Sequence, residues 1–545
     1  MATRGFVGAT IDRFIAWNLD LPPETCNYKR SHVTIALPNN GPTLAADLYQ
    51  PIGHEPSGTV LVRGAYSRGI MIAMGSARIF ASRGYQILFV SSRGTFGSMG
   101  VFDGGFSEAE DGQAVVEWMR QQDWYTGSFA TLGMSYSSFT QWALLRDPPD
   151  DLVASVIIAG PHDFANYVWG TGAFNMHYIS WTHTIVTQET ASLAEQYKAL
   201  NPGKHLCSII DAIPLTQGVD SHFSGSRSAP WLTHAISHPD LNDPSWSRLQ
   251  HGQALEKVAV PVLLINGWPD IFLEQTMEQY EKLAARGCQV KLIIGPWTHL
   301  QVQNSTTTRP ILEWLEKHLS GRTDVQTGSA VQVYVMGKSP AQWLDLPRWP
   351  PTTTPLDFYL DKNGALRGQP PLTDTEPSCF RFDPRDPIPT LGGPLMVGGG
   401  FVDDTALAAR EDILTFTTEP FPKPLTIMGK VSVELMHSSD SPSVDLFVRL
   451  SVVNKQRVSR NITQQYLRLW GNNGARLVRM NLSDTAYALN RGDCLRLIIG
   501  GGSHPMYSRN LGTEEPAEVA KAIHNATHTI HHGKEGVSRV TLPML

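Results

Sequence analysis

The chain has 545 residues, 41% hydrophobic and 17% charged, with a formal net charge of −6 at pH 7. That length can bury a large core and suggests about two to four domains, while the mild negative charge and the lack of a Lys/Arg-rich run exclude a surface that tracks nucleic acid. Five widely spaced cysteines (Cys26, Cys207, Cys288, Cys379, Cys494) include no Cys-x-x-Cys pair, so no metal or other cofactor is expected and a reducing, cytoplasmic setting fits.

At the N-terminus, Arg4, Asp12, Arg13 and Asp20 interrupt the apolar residues of Met1 to Leu21, which leaves no signal-peptide core. Apolar runs such as Val260 to Ile265 are far shorter than the roughly 20 residues that span a bilayer. A soluble protein without a membrane partner is expected. From Val33 to about Gly295, short apolar strands alternate with helical stretches, the pattern of a mostly parallel sheet covered on both faces. Val33–Leu37 and Leu44–Tyr49 read as a hairpin around Asn39-Asn40-Gly41. Thr59–Val62, Gln86–Ser91, Phe129–Gly133, Ala154–Ala159, Val260–Asn266 and Val290–Ile294 read as further strands, with helices over Ala109–Gln121 and Leu273–Arg286. Between Gly160 and Lys257 the alternation fails and aromatics and histidines accumulate: Tyr167, Trp169, Phe174, His177, Tyr178, Trp181 and His183. An insertion here lies above the carboxyl ends of the strands, where open α/β sheets bind ligands, and reads as a cap. Beyond Leu319, Pro-rich segments and alternating runs such as Val444–Val452 and Leu495–Ile499 predict a β-sandwich. The expected domains are 1–160 with 258–330 as the core, 161–257 as a helical cap, and 331–545 as the β-sandwich.

Gly133-Met134-Ser135-Tyr136-Ser137 joins the strand Phe129–Leu132 to a helix over Phe139–Leu145. This is the strand–turn–helix setting in which an α/β-hydrolase exposes a nucleophilic serine. The second small residue of such an elbow is normally glycine, and here Ser137 and Ser138 follow, so taken alone Ser135 reads either as a nucleophile or as a helix cap. Asp270 follows the strand ending at Asn266, and His299 follows the next strand. Alone, each has an ordinary reading as a turn or packing residue. Together, behind Ser135 and in the order Ser, Asp, His, they lie where a triad needs its acid and base. The amide of Tyr136 would be one oxyanion donor. The loop Arg63-Gly64-Ala65-Tyr66-Ser67 would supply the second, with the Tyr66 hydroxyl either aimed at the oxyanion or packed in the turn.

Arg63-Gly64-Ala65-Tyr66, Ser92-Arg93-Gly94, Glu110-Asp111-Gly112, Gly133-Met134-Ser135-Tyr136, Gly267-Trp268-Pro269-Asp270 and Gly295-Pro296-Trp297-Thr298-His299, with Ser503-His504-Pro505 and Ile530-His531-His532-Gly533 near the end, resemble the cocaine esterase and X-prolyl dipeptidyl-peptidase branch of α/β-hydrolases. The resemblance implies an α/β-hydrolase core with an inserted helical cap and a C-terminal β jelly-roll domain. It also implies Ser135 as nucleophile, His299 as base, Asp270 as orienting acid, Tyr66 with the Tyr136 amide as oxyanion donors, and Trp169, Trp181 and Phe272 as the acyl pocket. Three positions depart from the family pattern: Ser138 stands for glycine, Ser91 for aspartate and Ala65 for proline. The expected consequences are altered helix packing behind Ser135, a changed contact of Arg93 and a less rigid turn before Tyr66.

The expected function is hydrolysis of a small-molecule ester or activated amide through a seryl acyl-enzyme. Acyl transfer to an alcohol or amine, X-prolyl dipeptidyl-peptidase activity and a non-catalytic binding role are the alternatives. The sequence does not fix the oligomeric state, and a homodimer is left open.

Overall fold

The computed structural model describes residues 1–192, 195, 206–338, 340, 342–471 and 474–545. Eleven strands of the described residues form one sheet: β1 (Ala2–Thr3), β2 (Asn27–Ala36), β3 (Thr43–Ile52), β4 (Thr59–Gly64), β5 (Gln86–Ser91), β6 (Phe129–Met134), β7 (Leu152–Ile158), β8 (Val262–Gly267), β9 (Val290–Gly295), β10 (Val331–Val335) and β11 (Gln342–Leu346). Their order is β1-β2-β3-β5-β4-β6-β7-β8-β9-β10-β11. From β5 to β10 all neighbours are parallel. The β2–β3 hairpin pairs Val33 with Ala46, and its turn puts Asn39 and Asn40 at φ of 57° and 55°, a left-handed pair that asparagine tolerates well.

The central strands are apolar throughout because both faces are covered. On β7 to β9, Leu264, Leu292 and Ile294 pack on one side with Met277, Tyr280 and Leu283 of a helix, while Val156, Ile158, Ile265 and Ile293 pack on the other with Ile311 and Leu315. The helices that frame the site are α1 (Glu108–Arg120), α2 (Tyr136–Leu144), α5 (Leu273–Ala285) and α6 (Ser305–His318). Two cap helices lie over the strand ends, α3 (Phe164–Trp169) and α4 (His177–Thr187), and share a separate aromatic core with Trp231 and Trp246.

The C-terminal domain, from Thr354 to Met544, is an almost entirely antiparallel β-structure of thirteen strands among the described residues. Trp349 anchors it to the core, its ring tilted against that of Trp268 at 5.4 Å and its indole donating to Asp484 at 2.9 Å. Met176 N–H donates to Met506 O at 2.9 Å, so the domain also touches the cap. One boundary differs from the sequence reading. The β10–β11 hairpin, expected to open the β-sandwich at residue 331, instead extends the core sheet, with Val331 beside Leu292 of β9. It saturates the hydrogen-bonding edge that β9 would otherwise present to solvent. Among the described residues no helix is long and apolar enough to cross a membrane.

Candidate active site

β6 turns into α2 at Ser135, where φ is 58° and ψ is −123°. A non-glycine residue held there costs about 1–3 kcal/mol and persists only where its surroundings enforce it. The Ser135 N–H donates to Ile158 O at 2.9 Å, and the Ser135 carbonyl accepts from Ser138 N at 2.8 Å and Phe139 N at 3.1 Å. Small neighbours make room for this turn. A Cβ on Gly133 would lie 2.4 Å from Ser137 O, and one on Gly160 only 2.0 Å from the Ser138 Cβ. The Ser138 hydroxyl, where the family pattern has no side chain, donates to Gly133 O at 2.7 Å and accepts from Ile158 N–H at 3.0 Å. It therefore pins α2 to both β6 and β7.

The three residues expected to form a triad meet. Asp270 leaves the end of β8 and His299 follows β9 at the start of a short 3-10 turn closed by a Thr298/Gln301 capping box. His299 Nδ1 lies 2.7 Å from Asp270 Oδ2, and His299 Nε2 lies 2.9 Å from Ser135 Oγ. The carboxylate fixes the proton on Nδ1, so Nε2 accepts from the serine hydroxyl. The other Asp270 oxygen accepts the Phe272 N–H at 2.7 Å. Asp270 and His299 are each only 2% exposed, which shields this proton path from competing water.

Tyr66 faces Ser135 from the loop after β4. Its oxygen receives the Trp181 indole N–H at 3.2 Å, and the Ser135 hydroxyl and the Tyr136 backbone N–H favour its ionised form. Burial raises its phenol pKa against that influence, so it stays protonated and able to donate at neutral pH. The carbonyl of the preceding Ala65 accepts from the Gln188 side chain at 2.8 Å.

Behind Ser135 lies a support that sequence reading missed. The Tyr136 hydroxyl donates to Glu108 Oε1 at 2.8 Å, and Arg63 Nη2 lies 2.5 Å from Glu108 Oε2. Burial pushes the Glu108 carboxyl up despite Arg63, and burial with the charge of Glu108 holds the Tyr136 phenol well above its ordinary range. The side chain that follows Ser135 is thus tied to a buried ion pair, which restrains the direction of its backbone N–H. At the Ser91 departure, Arg93 makes a two-pronged bond to Asp111 at 3.1 and 2.5 Å, and the Ser91 hydroxyl accepts from Arg68.

The three aromatic residues expected at the acyl pocket separate. Trp181 stacks on Tyr136 at 5.7 Å, and Phe272 meets the His299 ring edge-on at 5.6 Å, so both border the triad. Trp169 lies inside the cap, packed on Phe174 at 5.2 Å with its indole N–H on Ala235 O at 2.7 Å. A buried indole N–H needs an acceptor, and the cap carbonyl fixes which way the ring points. Among the described residues no group of three or more His, Cys, Asp or Glu side chains is arranged to hold a metal ion.

Residues 40–301 match the X-Pro dipeptidyl-peptidase (S15) family, and residues 323–541 match the X-Pro dipeptidyl-peptidase C-terminal non-catalytic domain. Cocaine esterase of Rhodococcus sp. (strain MB1 Bresler) is 25% identical over 95% of this chain and 99% of its own length. Among solved structures, an alpha-amino acid ester hydrolase superposes with a TM-score of 0.80 at 20% identity, covering 96% of this chain and 98% of that one. An aminopeptidase from a marine sediment Thaumarchaeota archaeon also reaches 0.80, at 18% identity over 96% and 97%. These two show a shared fold. The chain belongs to the cocaine esterase and X-prolyl dipeptidyl-peptidase branch of α/β-hydrolases and is a serine hydrolase.

Proposed function

We propose that this hydrolase cleaves a small carboxylic ester through an acyl group carried on Ser135. The observation that carries the reading is the chain from Ser135 Oγ to His299 to Asp270, at 2.9 and 2.7 Å, built on a strained elbow. Ser135 Oγ attacks the ester carbonyl while its proton passes to His299 Nε2, and the carbonyl electron pair moves onto oxygen. The Tyr66 O–H and the Tyr136 N–H receive that oxyanion. Collapse breaks the bond to the alcohol oxygen, which leaves with the proton from His299. Water then attacks the acyl carbon by the same proton path and releases the carboxylic acid. Asp270 holds the imidazole in the required tautomer throughout. Trp181 and Phe272 border the acyl group, and Trp169 supports that wall by packing the cap from within.

The end-to-end match to cocaine esterase supports an ester as substrate. The five widely spaced cysteines support a cytoplasmic location. The test is labelling by a fluorophosphonate together with turnover of p-nitrophenyl esters of graded acyl size. Ser135 should take the label, and Ser135→Ala should lose both labelling and about 10⁶-fold in turnover. Ester turnover that survives Ser135→Ala overturns the reading, and release of dipeptide from an Ala-Pro anilide at rates above those of the esters moves it to peptidase chemistry.

A further inference from the structure

The cap wall beside the triad carries polar groups that the protein itself does not satisfy. Tyr167 stands on α3, its ring 4.7 Å from that of Phe272, which in turn meets His299. Its hydroxyl is buried and has no hydrogen-bond partner. His177 begins α4 one turn before Trp181, the residue bonded to Tyr66, and residues four apart share a helix face. His177 is 7% exposed, its Nδ1 is buried without a partner, and its ring makes no hydrogen bond among the described residues.

The same surroundings keep both groups uncharged. The Tyr167 phenol is pushed up by burial, with further repulsion from Tyr507, Asp270 and Tyr66. His177 is held down to about 4 by burial and by repulsion from His299. At neutral pH one is therefore a phenol and the other a neutral imidazole, each able to donate or accept without charge. A buried polar atom left unpaired bears its full desolvation penalty. Phenylalanine at Tyr167 would remove that penalty at almost the same volume, and the surrounding wall of Phe164, Phe272 and Trp181 is already aromatic. Native structures leave few buried polar groups unsatisfied, and those beside a site await a ligand or a water.

We propose that Tyr167 and His177 form a recognition pair for an uncharged hydrogen-bonding group, a hydroxyl or amide, on the acyl part of the substrate. The inference rests on the ester-hydrolase reading above and names its substrate class: esters of polar-substituted acids rather than of plain hydrocarbon acids. A site built to bond a substrate hydroxyl discriminates strongly against the analogue lacking it, since its own polar groups are then stranded.

The experiment compares p-nitrophenyl esters in matched pairs, one bearing a hydroxyl and its partner a methyl at the same acyl carbon, with that carbon moved along the chain. At least one hydroxylated ester should be preferred by about tenfold or more in kcat/KM, and Tyr167→Phe and His177→Phe should each erase most of that preference while the methyl partners keep their rates within about threefold. Tyr178→Phe removes another buried, unpaired hydroxyl from the same helix, pointing about 100° away from His177, and should keep the preference. Because Tyr167→Phe deletes an unsatisfied group, its melting temperature should not fall. Wild-type enzyme without preference for any hydroxylated member, a preference that survives both Phe variants or falls equally in Tyr178→Phe, or a Tyr167→Phe protein that fails to fold overturns the proposal. Fluorophosphonate labelling of Ser135 in every variant separates these outcomes from failure of the ester-hydrolase reading, in which the wild type itself would not label.

Discussion

The reaction centre and the cap that faces it solve opposite problems. Ser135, His299 and Asp270 are already bonded to one another, and Tyr66 already faces the serine hydroxyl and the Tyr136 N–H. Behind Phe272 and along the helix of Trp181, the cap leaves the Tyr167 hydroxyl and the His177 ring without partners. Groups that stabilise developing charge work best when they need no reorganisation at the moment of reaction, whereas groups that recognise a substrate discriminate best when only the substrate completes them. The chemistry is thus pre-built, and selection is left unfinished until a ligand arrives.

The largest effect expected from breaking this division is at Tyr66. Tyr66→Phe removes one of two oxyanion donors and should lower kcat by about 10²–10³, as loss of one such donor typically does. Since the phenol acts on the transition state, KM should change little and fluorophosphonate labelling should slow in proportion. If Tyr66→Phe keeps full kcat, the tyrosine is packing and the oxyanion is held by other groups.

A smaller effect sharpens the contrast between the two histidines. His299 is paired with a carboxylate, while His177 is buried neutral, with its folded pKa near 4 against an ordinary 6.5. The unfolded chain therefore binds more protons than the folded one between those values, so stability contributed by His177 is full above pH 6.5 and is lost as pH falls toward 4. That loss is on the order of 3 kcal/mol. Urea denaturation of His177→Phe across pH 4–7 should show a shallower decline than wild type, with the two curves diverging only below about pH 6.5. Parallel curves would place the His177 ring in contact with water.

Much of the reaction centre could be read from the sequence because its logic is local. Asp270 and His299 each follow an apolar strand within a few residues, and in a parallel sheet those loops must emerge at the same end. Features set by distant partners could not be read in this way. Arg63 and Glu108 are 45 residues apart, and no spacing links them. Trp169 and Trp181 look equivalent in an aromatic-rich segment, yet one indole N–H finds Ala235 and the other finds Tyr66, a choice that depends on how the cap helices are rotated. The run Val331 to Val335 alternates burial like any sandwich strand, and only the open edge of β9 decides which sheet it joins.

Ser138 offers the finest test of how tightly the pre-built half is held. Its hydroxyl is fully buried and answers two backbone groups, Gly133 O and Ile158 N–H, that no other side chain reaches. Ser138→Ala keeps the Cβ for which Gly160 leaves space and removes the hydroxyl from two groups that remain in the β6–β7 ladder, so it should lower unfolding stability by only about 1 kcal/mol. The catalytic geometry has other restraints: the Ser135 N–H is held by Ile158 O, and Tyr136 by Glu108. Turnover of p-nitrophenyl acetate should therefore change less than about threefold, a difference smaller than 1 kcal/mol in the barrier. A loss of activity approaching that of Tyr66→Phe, with the melting temperature unchanged, would instead make Ser138 a positioning residue for the elbow, and the serine in place of glycine would belong to the reaction centre rather than to its foundation.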